Sequence, residues 1–424
     1  MKIKIKGIDE YIKYDKVNGI DLYYYNNNIG NTFMVSITVK AGADNVKFKY
    51  NNKNYEVRKG CAHFLEHILC ETNDRKVLLS ELKKYGALSN AATYSDRTTF
   101  YFYGTDNFKE CLNILMDTVL NHKFDKEYFE KERGPILSEA RMVLDDVDRV
   151  SILEMYKMLY HKLPNHKSGV GDVSDIKKIT LDELKLFYKA FYNKDNIFIT
   201  VAGNLDYNEV LKSVKANLDK YNLKGSKVIK YHYDEDESVV ENYKEIKLNV
   251  DIPKALICYK IPRKLIKEED FLKFNMVISM LLSSNFSSTS EFREKLLNEK
   301  LIHRLTYYSD SEEDYIEIGF EIYSKNIKKV IPIIKDKFNN LDVSYEDINR
   351  KRKSWISNIV RDYDNALYIL DNINYEILKY GRVIDNNKII LDNITLDDIN
   401  NYKELLKHND SSTLVIYPKE KSVN

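Results

Sequence analysis

The sequence is poor in the residues that build unusual architectures. It contains only 4 cysteines, 6 prolines and 14 glycines among 424 residues. So few prolines and glycines exclude collagen-like and linker-rich chains. The cysteines form no Cys-x-x-Cys pair, so we expect buried free thiols in a reducing compartment instead of disulfides or a zinc ribbon.

An excess of charge of one sign is also missing. The 66 Lys and Arg residues against 65 Asp and Glu leave a net charge of +1, so no overall field attracts nucleic acid or an anionic membrane. No apolar run approaches the roughly 18 residues of a membrane span. Residues 1–6 alternate lysine with apolar residues, which is typical of a strand and not of a signal peptide. We therefore expect a cytoplasmic protein that binds neither nucleic acid nor a membrane.

What the chain does have is the composition of an ordinary folded protein, with 43% hydrophobic residues and enough length for two large domains. Runs rich in β-branched and aromatic residues predict strands at Ile20–Tyr25, Phe33–Lys40 and Thr98–Tyr103. Apolar residues at helical spacing predict a helix over 107–120 and a long helical stretch over 126–160. Pro135 makes one boundary in that stretch doubtful.

An internal repeat indicates the domain organisation. The segment Ile179–Leu184 reads ITLDEL and the segment Ile394–Ile399 reads ITLDDI, 394 − 179 = 215 residues later. In both copies the threonine is a plausible helix N-cap with an acid three residues on, and an apolar strand follows. The repeat predicts an α+β fold of two homologous domains, each a mainly antiparallel sheet flanked by helices.

The predicted boundaries follow from the repeat. We expect the first domain over 1–219, a polar linker over 220–242 and the second domain over 243–424. The acidic run at 234–237 is interpreted as a solvated part of that linker.

Chemistry is concentrated in the segment His63-Phe64-Leu65-Glu66-His67. On a helix, His63 and His67 lie one turn apart and can bind one metal ion. Glu66 directly precedes His67 and cannot easily share the metal with both imidazoles. It is better placed as a general base. The competing interpretation is a core helix that carries two histidines by chance.

H-x-x-E-H is the inverted zinc-peptidase motif, and the chain resembles the pitrilysin/insulinase family. Residues 86–100, GALSNAATYSDRTTF, resemble that family's Gly-x-x-x-Asn-Ala-x-Thr-x-x-Asp-x-Thr segment. Residues 130–139, EKERGPILSE, resemble its Glu-(Arg/Lys)-x-x-Ile-x-x-Glu helix. The resemblance implies that Glu139 is the third zinc ligand, with one Zn²⁺ per chain.

The resemblance implies further roles. Glu132, seven residues before Glu139, matches an accessory glutamate that orients the site, although it could be an ordinary surface acid. The stretch from Asn90 is expected to begin a strand that runs to Tyr103, and the edge of that strand would hold the substrate backbone. The residues implied in this contact are Asn90, Ala91 and Thr93, with plain turn residues as the alternative.

One part of the family pattern is missing. Single-chain relatives carry an Arg and, seven residues on, a Tyr that bind the substrate carbonyl, and the matching segment here is 292–304. It places Leu297 at the Arg position and Arg304 at the Tyr position. Either Arg304 with Tyr307 or Tyr308 substitutes for the pair, or a sibling chain supplies it.

These observations predict a zinc metalloendopeptidase that cleaves short or unfolded peptides, such as a leader or precursor peptide. We expect a heterodimer with a homologous sibling subunit, or else a homodimer. The alternative is a non-catalytic subunit that holds peptides or serves a structural role, and the intact residues His63, Glu66, His67 and Glu139 argue against it.

Overall fold

A computed structural model describes residues 1–221 and 223–419. Its strands are β1 (Lys2–Ile5), β2 (Glu10–Val17), β3 (Ile20–Asn26), β4 (Phe33–Val39), β5 (Lys47–Tyr50), β6 (Lys53–Glu56), β7 (Leu88–Thr93), β8 (Thr98–Gly104), β9 (Ile197–Gly203), β10 (Val228–Lys230), β11 (Tyr243–Leu248), β12 (Lys254–Pro262), β13 (Arg304–Ser311), β14 (Tyr315–Tyr323) and β15 (Asp410–Pro418). Its α-helices are α1 (Cys61–Ile68), α2 (Leu78–Lys83), α3 (Phe108–Leu120), α4 (Lys126–Asp145), α5 (Val147–Leu159), α6 (Val173–Ile176), α7 (Leu181–Phe191), α8 (Tyr207–Leu218), α9 (Phe271–Phe286), α10 (Glu291–Asn298), α11 (Ile327–Asn339), α12 (Tyr345–Asp362), α13 (Ala366–Tyr380), α14 (Asn387–Asp392) and α15 (Leu396–Leu405).

The strands form two large sheets and one small one. The first large sheet has the order β1-β2-β3-β9-β4-β8-β7, the second has the order β11-β15-β12-β14-β13, and β10-β5-β6 form the small sheet. All pairs are antiparallel except β3 with β9 and β11 with β15. The single parallel pair has the corresponding place in each large sheet. The predicted α+β fold with mainly antiparallel sheets is confirmed.

The sequence repeat corresponds to a structural repeat. Thr180 caps α7 and Thr395 caps α15, each through a complete capping box with the acid three residues on. Each helix leads into a central strand, β9 in one half and β15 in the other. The two halves of the chain therefore build homologous elements in the same order.

The compact units are not continuous in sequence. One unit contains residues 1–142, 167–232 and 358–387, and the other contains 143–166, 233–357 and 388–424. The predicted domains, 1–219 and 243–424, are continuous. The structure instead assigns the helical segment 143–166 to the second unit and the helical segment 358–387 to the first. The apolar face of a helix shows that the helix is covered and does not show which sheet covers it.

In the first unit, a helix from the second half of the sequence covers the sheet. The strands β4 and β9 are buried along their whole lengths, and α13 packs against both. Asn374 in α13 accepts a hydrogen bond from Thr200 at 2.7 Å and donates one to Ser36 at 3.0 Å. These buried polar contacts fix α13 on the sheet, because an unpaired amide there would be costly.

In the second unit, α5 from the first half of the sequence packs on β12 and β15. Lys260 donates to the Glu235 carboxylate at 3.0 Å, and both side chains are almost fully buried. Glu235 also accepts hydrogen bonds from the backbone N–H groups of His161 and Lys162, each at 2.8 Å. The interpretation of 234–237 as a solvated run is therefore wrong for Glu235, because a buried lysine and the end of α5 require a carboxylate there.

Two local expectations also differ from the structure. The helical stretch over 126–160 is broken at Asp146, whose side chain caps α5 by accepting from the N–H groups of Asp148 and Arg149. Pro135 lies inside a continuous α4. The strand expected from Asn90 to Tyr103 consists of two antiparallel strands, β7 and β8.

Among the described helices, none has the length and apolar character needed to cross a bilayer.

Candidate metal centre

The first unit presents the H-x-x-E-H segment on α1, and a glycine sets where that helix begins. Gly60 has φ +92° and forms the N-cap of α1. A Cβ at Gly60 would lie 3.0 Å from the Cα of Gly171 and even nearer the carbonyl oxygen of Val170. Only glycine permits this backbone approach. Any side chain would displace the start of α1 and the two histidines with it.

Three side chains meet at one point on this unit. The Nε2 atoms of His63 and His67 lie 3.6 Å and 3.5 Å from Oε2 of Glu139. One donor atom from each of the three residues lies within 4.8 Å of the other two, as a shared metal ion requires. Two imidazoles and a carboxylate are a donor set that suits zinc and leaves a fourth position open. The predicted trio is therefore brought together from two helices, α1 and α4.

Glu132 lies on the far side of His67 from Glu139. Its Oε1 atom is 3.0 Å from Nδ1 of His67, so an N–H at Nδ1 leaves Nε2 free to bind a metal. Burial lowers the pKa of His67, but the hydrogen bond to Glu132 and the nearby carboxylates raise the pKa more, so it lies above its ordinary value. The structure thus places Glu132 in contact with His67, and its orienting role stays a prediction.

Aromatic packing holds α4 against α1. The rings of Phe64 and Phe129 stack at 4.9 Å between centroids, and the Arg133 guanidinium lies 4.7 Å from the centroid of the Phe129 ring. Arg133 also donates to the backbone oxygen of Ile179 at 3.0 Å. Sequence reasoning missed this clamp, because residues 65 positions apart carry no periodic signal of contact.

Glu66 lies beside this trio and is only 8% exposed. Its Oε2 atom accepts a hydrogen bond from the Thr93 hydroxyl at 2.5 Å. Burial raises the pKa of Glu66, against the opposing effects of the Thr93 hydrogen bond and His67. The prediction had placed Thr93 in substrate binding, and its contact with Glu66 was not foreseen.

The strand β7, which contains Asn90, Ala91 and Thr93, ends the seven-stranded sheet. Of the strands in the described residues, only β8 pairs with it. Asn90 is exposed and Ala91 is half-buried. An edge strand has backbone groups on its outer side that can pair with an extended peptide.

Arg304 and Tyr308 belong to the second unit, whereas His63 belongs to the first. Arg304 is the first residue of β13 and is exposed. The Tyr308 hydroxyl contacts the Glu317 carboxylate and lies 3.4 Å from Sγ of Cys258. Its ring lies over Gly319, where any Cβ would collide with it.

A helix with H-x-x-E-H and a distant glutamate is the arrangement that inverted-motif zinc peptidases use. Comparison with protein families agrees. The insulinase model, peptidase family M16, matches residues 25–168, and the M16 inactive-domain model matches residues 178–354. The chain belongs to the insulinase family, and the predicted resemblance is confirmed.

Similar proteins cover nearly the whole chain. YmfH of Bacillus subtilis, described as an uncharacterized zinc protease, is 28% identical over 409 residues, 94% of each chain. A probable mitochondrial-processing peptidase subunit beta of Arabidopsis thaliana is 24% identical over 382 residues, 87% of this chain and 70% of that protein. The crystal structure of an M16-like protein from Alicyclobacillus acidocaldarius has a TM-score of 0.89 at 20% identity, covering 97% of this chain and 99% of that one. This last similarity concerns the fold.

Proposed function

We propose that the protein is a zinc-dependent metallopeptidase that binds one zinc ion per chain through His63, His67 and Glu139. The convergence of these three donors within 4.8 Å carries the proposal. A bound zinc ion would act as a Lewis acid and lower the pKa of water to about 7.

Glu66 is proposed as the general base. Its carboxylate lies beside the ligand group without being part of it, so it is placed to take a proton from the attacking water and to return that proton to the leaving amine. Glu132 keeps the Nδ1 proton of His67 in place through their 3.0 Å contact. These residues divide the work between binding the metal, orienting a ligand and moving a proton.

The substrate is proposed to be a short or unfolded peptide, such as a leader or precursor peptide, bound along the edge of β7. Pairing with this edge would hold the peptide backbone extended, and side-chain pockets would add selectivity. Asn90 and Ala91 are the residues proposed to lie against it, whereas the hydroxyl of Thr93 contacts Glu66. A folded protein cannot offer a free extended backbone and should be a poor substrate.

The central test is Glu66→Gln. The amide keeps the shape of the side chain but cannot accept the proton, so we expect kcat to fall by about 10²- to 10⁴-fold while zinc content stays near one per chain. Zinc is measured by atomic absorption and turnover with a quenched fluorescent peptide. Loss of the metal from this variant would make Glu66 a ligand and contradict the assignment.

A companion pair of variants tests Glu139. Glu139→Gln should lose zinc because a charged ligand oxygen is removed. Glu127→Gln changes an acid on the same helix whose side chain is 89% exposed, and it should retain zinc. Equal zinc content in both variants would rule out Glu139 as a ligand. Absence of zinc from the wild type would favour the alternative of a non-catalytic subunit.

We further propose that a homologous sibling chain supplies the missing Arg/Tyr pair; the alternative is a homodimer in which this chain's own residues complete the site. Leu297 has no donor to offer at the Arg position, and one relative is named as a subunit of a processing peptidase. The purified chain should then hydrolyse peptides slowly, and the sibling should raise the rate by about 10² to 10³. If the chain alone is fully active, and Arg304→Ala and Tyr308→Phe remove that activity, the chain's own residues complete the active site. A cytoplasmic location remains part of the proposal.

A further inference from the structure

We infer that Thr93 is a positioning residue for Glu66, which it holds in the orientation needed for proton transfer. This inference rests on the proposed peptidase function. It differs from the substrate-binding role that the family resemblance implies for Thr93. The two roles make different demands on the kinetics, so they can be separated.

The contact itself is short and enclosed. The Thr93 hydroxyl donates to Oε2 of Glu66 at 2.5 Å, and Glu66 is 8% exposed. An ionised carboxylate can only accept, so the hydroxyl hydrogen must point at it. With Oε2 engaged by this hydroxyl, the Glu66 side chain loses the freedom to turn away.

The backbone that carries Thr93 is anchored. Thr93 is the last residue of β7 and pairs with Thr98, the first residue of β8. Thr98 is fully buried, and its hydroxyl donates to the backbone oxygen of Ala41 at 3.0 Å. The hydroxyl of Thr93 is therefore held on a fixed strand and is suited to orient another group.

The second unit has the same contact without the metal ligands. Ser311 is the last residue of β13, pairs with Ile316 across the hairpin, and has its hydroxyl 2.9 Å from Oδ1 of Asn275 in α9. The contact between a hairpin and a helix therefore recurs in both units. Only in the first unit does it reach a carboxylate beside a ligand group, so Ser311 offers a matched control.

The experiment compares Thr93→Val, Thr93→Ser and Ser311→Ala with the wild type, using zinc-loaded protein and a quenched fluorescent peptide. For Thr93→Val we expect kcat to fall roughly 10- to 100-fold, as for loss of a hydrogen bond to a charged group, with KM and zinc content unchanged. Thr93→Ser keeps the hydroxyl and should restore most of kcat. Ser311→Ala should leave kcat unchanged.

A second measurement does not depend on turnover. The affinity of the metal-free protein for a fluorescently labelled peptide should be equal in Thr93→Val and the wild type. A weaker affinity, with a raised KM and an unchanged kcat, would show substrate binding and overturn the inference. An equal loss of kcat in Ser311→Ala would show that the contact acts only through stability and would also overturn it.

The two proposals fail in different ways. A wild type without zinc-dependent hydrolysis would overturn the peptidase function and this inference with it. An active wild type whose kcat survives Thr93→Val would overturn this inference alone.

Discussion

The two compact units place the same pair of elements together, a helix and a hairpin, and within the described residues only the first unit has a group of side chains that could hold a metal ion. In the first unit the hairpin is β7–β8 and the helix is α1, and in the second unit they are β13–β14 and α9. In each hairpin, four residues separate the last paired residue of the first strand from its partner in the second strand. They lie between Thr93 and Thr98 in one hairpin and between Ser311 and Ile316 in the other. A hydroxyl at the end of the outer strand contacts the helix in both.

The difference lies in a few side chains. With Asn275 taken as the counterpart of Glu66, the positions of His63 and His67 correspond to Leu272 and Met276. Backbone pairing and apolar burial suffice to keep the helix and hairpin together. A metal site needs particular donor atoms as well. The fold can therefore persist in a unit whose chemistry is absent.

The largest expected effect comes from removing a ligand in one unit and its counterpart in the other. His67→Ala should abolish zinc binding and peptide hydrolysis, since two donors do not hold a structural or catalytic zinc ion. Met276→Ala should leave the zinc content unchanged. Metal analysis of both purified variants checks this, and loss of zinc in Met276→Ala would end the contrast between the units.

A smaller effect is expected in the second unit, where a buried ion pair has a structural role. Glu235→Ala leaves Lys260 buried without its carboxylate and should lower the free energy of unfolding by about 3–5 kcal/mol. The neighbouring Asp236→Ala breaks an exposed pair with Lys162, which water screens, and should lower the free energy of unfolding much less. Chemical denaturation compares the two variants, and equal losses would contradict the structural role of Glu235.

The smallest effect concerns a buried acid in the first unit. Glu376 in α13 accepts hydrogen bonds from the N–H of Ile384 at 2.7 Å and from the amide of Asn387 at 3.0 Å. Burial raises the pKa of Glu376 from 4.5 to about 7, although these donors and Arg382 act in the opposite direction. The folded protein therefore holds this proton more tightly than the unfolded chain does.

The sign of the pH dependence follows. The stabilisation from the proton on Glu376 is fully present below about pH 4.5 and is lost as the pH rises through 7, a change of about 3 kcal/mol. Glu376→Gln should lack this contribution. The exposed-acid variant Glu127→Gln should behave as the wild type does. Denaturation at pH 5 and pH 8 measures the difference, and identical pH dependence in Glu376→Gln and the wild type would contradict the prediction.

Much of the site could be predicted from sequence because its residues lie in short local patterns. The spacing of His63, Glu66 and His67 on one helix, and the resemblance around Glu139, led to the group that the structure brings together. The contact between Thr93 and Glu66 could not be predicted. This contact depends on the packing of the hairpin against the helix. The two residues are 27 positions apart, and no local sequence pattern indicates that packing.

Local patterns in the sequence sufficed to predict the α+β class, the repeat with its two capped helices, and the helix that carries both histidines. These follow from side-chain periodicity and from caps that act within a few residues of the chain. Folding in three dimensions was needed to establish that α13 covers the first sheet and α5 the second, and that Glu235 is buried against Lys260. Such choices depend on the free energy of packing between distant segments, where burial and hydrogen-bond satisfaction select one partner among several that local patterns allow.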